Sequence, residues 1–153
     1  MATRPWKLFV DTSALIAGIV SPSGAAREVL RLCEAGVVVG VISRQVLTEA
    51  DRTFSEKLPL LVSSYRELMR GMGPLLVDDP SKRDVSRAAQ VIHKKDAPNL
   101  AAAINACVDF LITWNTRHFL TQAVRKAVRF RIMLPGEFLV EFREKPVSPL
   151  ETI

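Results

Sequence analysis

The sequence is poor in cysteine, with only two among its 153 residues. Cys33 and Cys107 lie far apart within apolar helical patterns, and no neighbouring side chains would complete a metal site with either of them. A disulfide framework and a cysteine-based zinc site are therefore both unsupported. We predict two reduced thiols that pack in the core.

Long apolar runs are also missing, since none approaches the roughly 18 to 20 residues that span a bilayer. The N-terminal stretch MATRPWKLFVDTSAL carries an aspartate inside its apolar part, which is unlike a signal peptide. We therefore predict a cytoplasmic protein that is not associated with a membrane. The chain has no internal repeat, low-complexity segment or long linker, so we predict a single domain over residues 1–153.

Two common catalytic motifs are absent as well. The chain contains neither the GxxxxGK[ST] phosphate-binding loop nor the HExxH zinc motif, which argues against those two classes of enzyme. The composition, with 48% hydrophobic and 24% charged residues, is that of a globular domain. The net charge of +5 fits a polyanionic partner, although many proteins without such a partner are equally basic.

Short apolar runs alternate along the chain with longer helical patterns, which is typical of βα units around a parallel sheet. We predict strands at residues 6–10, 37–42, 75–77, 109–113 and 130–134. Helices are predicted at residues 13–18, 25–35, 44–54 (after an N-cap at Ser43), 60–70, 82–93, 96–107 and 135–142.

Three acidic residues occupy positions that this topology would bring to one edge of the sheet. Asp11 directly follows the first strand, Glu49 lies on the helix after the second strand, and Asp96 opens the helix before the fourth. Ligands bind at the carboxyl ends of parallel strands, and clustered carboxylates repel each other unless a cation is bound. Oxygen ligands favour Mg²⁺ or Mn²⁺.

Each acid also has a purely local explanation, which the sequence leaves open. Asp11 and Asp96 both stand where a helix N-cap is expected, and Glu49 could be one charge on an exposed helical face. The case for a shared site depends on the order and the local contexts of the three residues together.

These contexts carry a resemblance to a known family. The segment LFVDTSALIAGIVSPSGAAREVL resembles the opening of PIN domains, and VISRQVLTEADR resembles their second motif. The segment KKDAPNLAAAINACVDFLITWNTRHF is similar to their third and fourth motifs, and the likeness is strongest to the PilT N-terminus-like branch that includes VapC-type toxins. The resemblance implies a three-layer α/β/α fold with a central, mostly parallel sheet of about five strands.

The same resemblance implies a metal-dependent endoribonuclease. Asp11 and Asp96 would be direct metal ligands, Glu49 would bind the metal or orient a metal-bound water, and the Ser13 and Thr113 hydroxyls would surround the site. We further expect Trp114 to stack on a base, and Arg44 and Arg117 to contact phosphates of RNA. Thr12, adjacent to Asp11 in an extended segment, is expected to point away from the site.

The fourth motif departs from the family pattern. Asn115 stands where many relatives have an aspartate, so it would offer the metal an oxygen without a charge, and His118 replaces another acid. We expect His118 to be a solvated loop residue and His93 to lie on a helix surface. Asp109 precedes the apolar core of its strand and is therefore predicted to be structural, at the opposite end of the sheet.

Other functions and partners remain open from the sequence. The loss of acids allows a catalytically inactive PIN-like module that binds nucleic acid or another protein. A phosphotransferase of the haloacid dehalogenase type is disfavoured, because Ser13 stands where its second aspartate is needed. The resemblance also implies a homodimer, for which the apolar helical segment 60–72 would be suitable, and an antitoxin protein as partner.

Overall fold

A computed structural model describes residues 4–144 of the protein. Its sheet has five strands in the order β3-β2-β1-β4-β5, and every neighbouring pair is parallel. The strands are β1 (Lys7–Val10), β2 (Val39–Ser43), β3 (Leu75–Val77), β4 (Phe110–Ile112) and β5 (Arg131–Met133). The predicted parallel α/β fold with five strands is confirmed.

Nine α-helices are assigned within the described residues. They are α1 (Thr12–Val20), α2 (Ala25–Glu34), α3 (Arg44–Glu56), α4 (Val62–Met72), α5 (Lys82–Ala88), α6 (Ala97–Asn105), α7 (Thr116–Phe119), α8 (Gln122–Ala127) and α9 (Pro135–Arg143). A 3₁₀ turn at Pro59–Leu61 precedes α4, so the helix predicted from residue 60 begins two residues later. Helices α7 and α8 have no counterpart among the predicted helices.

The order of the strands places helices on both faces of the sheet. The chain steps from β1 to β2 to β3 in one direction, then crosses to β4 and β5 on the other side of β1. Because such crossovers are right-handed, the helices of the two halves cover opposite faces. In agreement, α2 packs against α1, α4 and α9, whereas α5 packs against α6. This arrangement is the expected three-layer α/β/α fold.

The central strands form the middle of the core. Leu8, Phe9 and Val10 of β1 are fully buried, as are Leu111 and Ile112 of β4. Such strands read as continuous apolar runs because both faces of a parallel sheet are covered. The glycine within β2 also has a packing reason, since a Cβ on Gly40 would lie 2.6 Å from Cε of Met72 and 3.2 Å from Sγ of Cys33.

Two helix ends and one cysteine differ from the sequence predictions. Helix α5 ends at Ala88, because residues 89–96 form turns, and His93 therefore lies outside any helix. Helix α6 ends at Asn105, and Cys107 follows in a left-handed conformation with φ 53°. Cys107 is exposed, so the prediction of two core thiols holds only for Cys33.

None of the helices within residues 4–144 is both long and apolar enough to cross a membrane. The segment predicted for dimerisation, residues 60–72, is the 3₁₀ turn and α4, in which Leu60 is 96% exposed. The single domain predicted for residues 1–153 stays a prediction, because residues 1–3 and 145–153 lie outside the described range.

Candidate active site

The carboxylate of Asp11 lies at the carboxyl end of the central strand β1, where the chain direction across the sheet reverses between β1 and β4. Ligands of open α/β sheets bind at such a point. The Asp11 amide donates to the Ile112 carbonyl at 3.0 Å, which extends the β1–β4 pairing to the site. Asp11 is 4% exposed, and its side chain makes no helix-capping hydrogen bond. Asp11 therefore occupies the N-cap position of α1, as its local explanation expects, but its carboxylate does not cap the helix.

Two hydroxyl groups hold the Asp11 carboxylate. Ser13 Oγ lies 3.0 Å and Thr113 Oγ1 2.9 Å from the same oxygen, Oδ2. Each hydroxyl also accepts a backbone N–H, from Trp114 to Ser13 and from Asn115 to Thr113, both at 2.9 Å. A hydroxyl that accepts in this way keeps its single proton for donation. Both hydroxyls are therefore positioned to donate to Asp11, and their oxygens lie 3.2 Å from each other.

Burial raises the pKa of Asp11 from 3.8 to about 6, since the carboxylate loses its hydration. The hydrogen bonds from Thr113 and Ser13 oppose this shift, whereas the negative charge of Asp96 adds to it. Asp96 is thus close enough for mutual repulsion. The hydrogen bonds therefore offset only part of the cost of burying this carboxylate in its charged form.

Asp96 lies immediately before α6 and faces His118 of α7. Asp96 also occupies an N-cap position, that of α6, but its carboxylate makes no capping hydrogen bond. Oδ2 of Asp96 lies 2.5 Å from Nδ1 of His118, and the side chains are only 15% and 33% exposed, respectively. The His118 ring stacks on that of His93, with the ring centres 5.1 Å apart and the planes nearly parallel. His118 is thus part of the site and not the solvated loop residue that the sequence suggested.

Glu49 is half-buried on α3 and is tied to both neighbouring helices. Its Oε1 accepts a hydrogen bond from Thr12 Oγ1 at 3.1 Å and another from Asn99 Nδ2 at 3.2 Å. The prediction that Thr12 points away is wrong because α1 already begins at Thr12, so the alternation of an extended strand does not apply. Glu49 is therefore linked to the segments that carry Asp11 and Asp96.

The remaining predicted site residues also follow the carboxyl ends of the strands. Asn115 accepts the His118 amide at 3.4 Å and so caps α7 with its side-chain oxygen. Trp114 precedes it with 47% exposure, although its backbone amide is bound to Ser13. Arg117 and Arg44 are exposed on α7 and at the start of α3, the helices that follow β4 and β2.

The donor set fits a hard divalent cation in part. Within residues 4–144, no three His, Cys, Asp or Glu side chains form a group that could hold a metal ion. However, Mg²⁺ is commonly bound by one or two carboxylates while it keeps several waters. Asp11 and Asp96, which repel each other across a buried site, match that pattern, with Glu49 and Asn115 available nearby.

Asp109 is placed at the opposite end of the sheet, as predicted. It receives two hydrogen bonds of 2.9 Å from the Arg4 guanidinium and one of 2.8 Å from the Lys7 amide. Partial burial would raise its pKa, but the hydrogen bonds and positive charges of Arg4 and Lys7 outweigh this effect and lower it. This aspartate fastens the N-terminal segment to β4.

Two participants in the site were missed by the sequence interpretation. Asn99 is 2% exposed on an otherwise apolar face of α6, and Ser43, expected only as an N-cap, also donates to it at 2.9 Å. A signal for Asn99 was present, because it follows Asp96 by three positions and helical neighbours at that spacing share a face. A single amide side chain beside Leu100 and the alanines of this helix indicates a polar partner within the core.

Comparison with known proteins agrees with this architecture. The structure of PAE2754 from Pyrobaculum aerophilum matches with a TM-score of 0.62 at 17% identity, covering 93% of this chain and 100% of that one. VapBC2 from Rickettsia felis, solved bound to a DNA fragment from their promoter, matches with a TM-score of 0.60 at 16% identity, covering 84% and 98%. No curated protein matches the sequence.

Such identities establish the fold alone, so membership of a family depends on the sequence match. A family model described as the PIN domain matches residues 7–117, which include Asp11, Glu49, Asp96 and the turn at Asn115. The chain belongs to the PIN domain family.

Proposed function

We propose that the protein is a metal-dependent endoribonuclease that hydrolyses RNA phosphodiester bonds, with Asp11, Glu49 and Asp96 as its catalytic acids. PIN domains are in general nucleases, which supports the reaction class. The observation that carries the proposal is the buried Asp11 carboxylate, which neutral donors hold at the reversal point of the sheet while Asp96 repels it. A structural role would not require such an uncompensated charge.

Asp11 and Asp96 would hold Mg²⁺ or Mn²⁺ directly, and Glu49 and Asn115 would complete the site directly or through water. The cation would lower the pKa of a bound water molecule and offset negative charge on the phosphate. Ser13 and Thr113 keep Asp11 oriented through hydroxyls that are positioned to donate to it. Glu49 accepts the proton of the attacking water, which is general-base catalysis.

The first test is cleavage of single-stranded and structured RNA with Mg²⁺ or Mn²⁺, comparing the wild type with Asp96→Asn. Removing one of the two proposed metal-binding carboxylates would weaken both the binding of the cation and its charge stabilisation, so we expect cleavage to fall at least about 100-fold. Binding of Mn²⁺, followed by electron paramagnetic resonance, should weaken in parallel. Equal cleavage by the two proteins would contradict the proposed roles of the acids.

RNA would be held beside the acids by Trp114, Arg44 and Arg117. The expected contact between Thr113 and substrate is wrong, because Thr113 is fully buried and its hydroxyl is bound to Asp11 and to the Asn115 amide. We expect Trp114→Ala to weaken RNA binding by about 10- to 100-fold, because stacking of one base on an aromatic ring contributes roughly 1–3 kcal/mol. The thermal midpoint should not change, since the indole is 47% exposed. Binding is measured by fluorescence anisotropy in the Asp11→Asn background, so that the RNA stays intact.

Val140→Ala is the matched control for that substitution. Val140 is a similarly exposed apolar residue, at 51%, but it lies on α9, whose packing is against α2. Loss of binding in both variants would indicate a general surface effect and would remove Trp114 from the proposed RNA contact.

A second candidate function is an inactive PIN-like module that binds nucleic acid or another protein. The specific observation in its favour is that Asp96 is already bound by His118, while Asn115 supplies no charge and uses its oxygen to cap α7. RNA binding without cleavage at any concentration of Mg²⁺ or Mn²⁺ would support this module over the nuclease.

As a cellular role, we propose a cytoplasmic toxin that pairs with an antitoxin and forms a homodimer through the 3₁₀ turn and α4. Support comes from the family and from the likeness to VapBC2. A gene for a small DNA-binding protein next to this one, whose product restores growth on co-expression, would support the pairing. A monomer in light-scattering measurements would overturn the proposed dimer.

A further inference from the structure

Asn99 is a buried residue whose side-chain amide donates a hydrogen bond to Glu49 in the candidate site. It is 2% exposed on α6, between residues that are apolar and buried. An amide in such surroundings destabilises the fold unless its polar atoms are paired. Both ends of the Asn99 side chain are paired, one with Ser43 and the other with Glu49.

The orientation of this amide is fixed from the sheet side. The Val46 amide donates to Ser43 Oγ at 3.1 Å, so the single Ser43 proton is free to point to Asn99 Oδ1 at 2.9 Å. The carbonyl end of Asn99 therefore faces β2, and its NH₂ group faces Glu49. Because the Val46 amide donates to Ser43 and Ser43 donates to Asn99, the Asn99 NH₂ group is the donor in the hydrogen bond to Glu49.

That last hydrogen bond restricts a long and otherwise adaptable side chain. Asn99 and Thr12 both donate to Oε1 of Glu49, from α6 and α1, respectively. Within residues 4–144, no hydrogen bond reaches the other oxygen, Oε2, which leaves it for a water or a cation. Two donors from different helices thus hold one oxygen and select the direction of the other.

We infer that Asn99 is a positioning residue for Glu49, acting through the Val46–Ser43–Asn99–Glu49 series of hydrogen bonds. The inference depends on the proposed function, because it concerns how Glu49 is presented to the cation or its water. Outer partners of metal-binding carboxylates commonly change metal affinity or activity by 10- to 100-fold when they are removed. A change of that size is expected here.

Asn99→Asp is the variant of choice because its shape is unchanged. Ionised aspartate still accepts from Ser43, but it cannot donate to Glu49 and places a like charge beside it, so the measurements are made at pH 8 or above. We expect Mn²⁺ affinity and cleavage to fall at least about 10-fold. Asn105→Asp is the control, since Asn105 lies on the same helix and donates to the Asp84 carboxylate at 3.1 Å on the exposed surface. It should leave both measurements unchanged.

A double-mutant cycle separates positioning from a general effect on the fold. If Asn99 acts through Glu49, then Asn99→Asp should have no further effect on Mn²⁺ affinity in the Glu49→Ala background. Additive effects, or equal losses in Asn99→Asp and Asn105→Asp, would overturn the inference.

A nuclear magnetic resonance measurement tests the contact independently of catalysis. The side-chain amide resonances of Asn99 should shift in Glu49→Ala and remain in place in Glu67→Ala, a glutamate on the exposed surface of α4. Unchanged Asn99 resonances in Glu49→Ala would overturn the inference even for an active nuclease. Shifted resonances in a protein that neither binds Mn²⁺ nor cleaves RNA would instead overturn the proposed function and retain the contact.

Discussion

Asp11→Asn is expected to abolish cleavage and, at the same time, to raise the free energy of unfolding of the metal-free protein at neutral pH. Loss of the central metal ligand should reduce the cleavage rate on the order of 1000-fold. The opposite effect on stability follows from the pKa of Asp11, which the folded protein raises from 3.8 to about 6. That difference corresponds to about 3 kcal/mol of destabilisation once the carboxyl is ionised.

Asparagine avoids the ionisation, and its oxygen can still accept from Ser13 and Thr113. Since hydrogen bonds to a neutral acceptor are weaker, we expect a net gain of about 2 kcal/mol at pH 7.5. The stability that protonated Asp11 contributes is complete below pH 3.8 and is lost as the pH rises through about 6. The difference between the variant and the wild type should therefore be small near pH 4, increase up to about pH 6 and become constant above about pH 7, which denaturant titrations can measure.

Asp109→Asn is the matched control, because it makes the same chemical change at the other end of the sheet. Arg4 and Lys7 lower the pKa of Asp109, so its ionised form stabilises the fold and its replacement should be destabilising at pH 7.5. Addition of Mn²⁺ should raise the thermal midpoint of the wild type and of Asp109→Asn, but not that of Asp11→Asn. If metal-free Asp11→Asn were less stable than the wild type at pH 7.5, the inference that the Asp11 charge is uncompensated would be wrong.

Thr113→Val should destabilise the protein by about 2–3 kcal/mol at pH 7.5, although valine has nearly the same shape. Thr113 is fully buried, and its hydroxyl both donates to Asp11 and accepts the Asn115 amide. Removing one hydrogen bond to a charged group costs about 1.5–3 kcal/mol, and the Asn115 amide loses its acceptor as well. Thermal and denaturant unfolding of the metal-free proteins provide the measurement.

The dependence of this effect on Asp11 gives the control. In the Asp11→Asn background the Thr113 hydroxyl donates to a neutral acceptor. Thr113→Val should therefore lower the free energy of unfolding clearly less there than in the wild type. Thr121→Val is the matched control, because the half-buried Thr121 caps α8 through its hydroxyl. Its effect on stability should be the same with and without the Asp11 charge. Equal costs of Thr113→Val with and without the Asp11 charge would show that the hydroxyl acts only in packing.

The fold was largely predictable because its signals are local. The run before Asp11 is apolar because β1 is buried on both faces. Ser43 caps the start of α3 with its side chain, and serine is a residue type that predicts such a cap. The carboxyl ends of β1 and β4 then place Asp11 and Thr113 together without further information. Helix ends were less certain: α5 stops at Ala88 although the apolar spacing continues towards Val91 and Ile92.

The fine structure of the site was not predictable, because it depends on contacts between distant segments. His118 appeared as a loop residue, and only the packing of α7 beside the start of α6 brings it to Asp96. Thr12 was assigned to an extended segment, and the start of α1 one residue earlier reverses its direction. One-residue differences of this kind change which side chains meet.

The hydrogen bond between Thr113 and Asp11 joins residues 102 positions apart in the chain. A nascent polypeptide that ends before β4 lacks both this bond and the strand that closes the site, whatever the N-terminal half has already formed. During synthesis on the ribosome, the catalytic centre can therefore assemble only after most of the chain has been translated. The site proposed for RNA cleavage thus forms only when synthesis of the chain is almost complete.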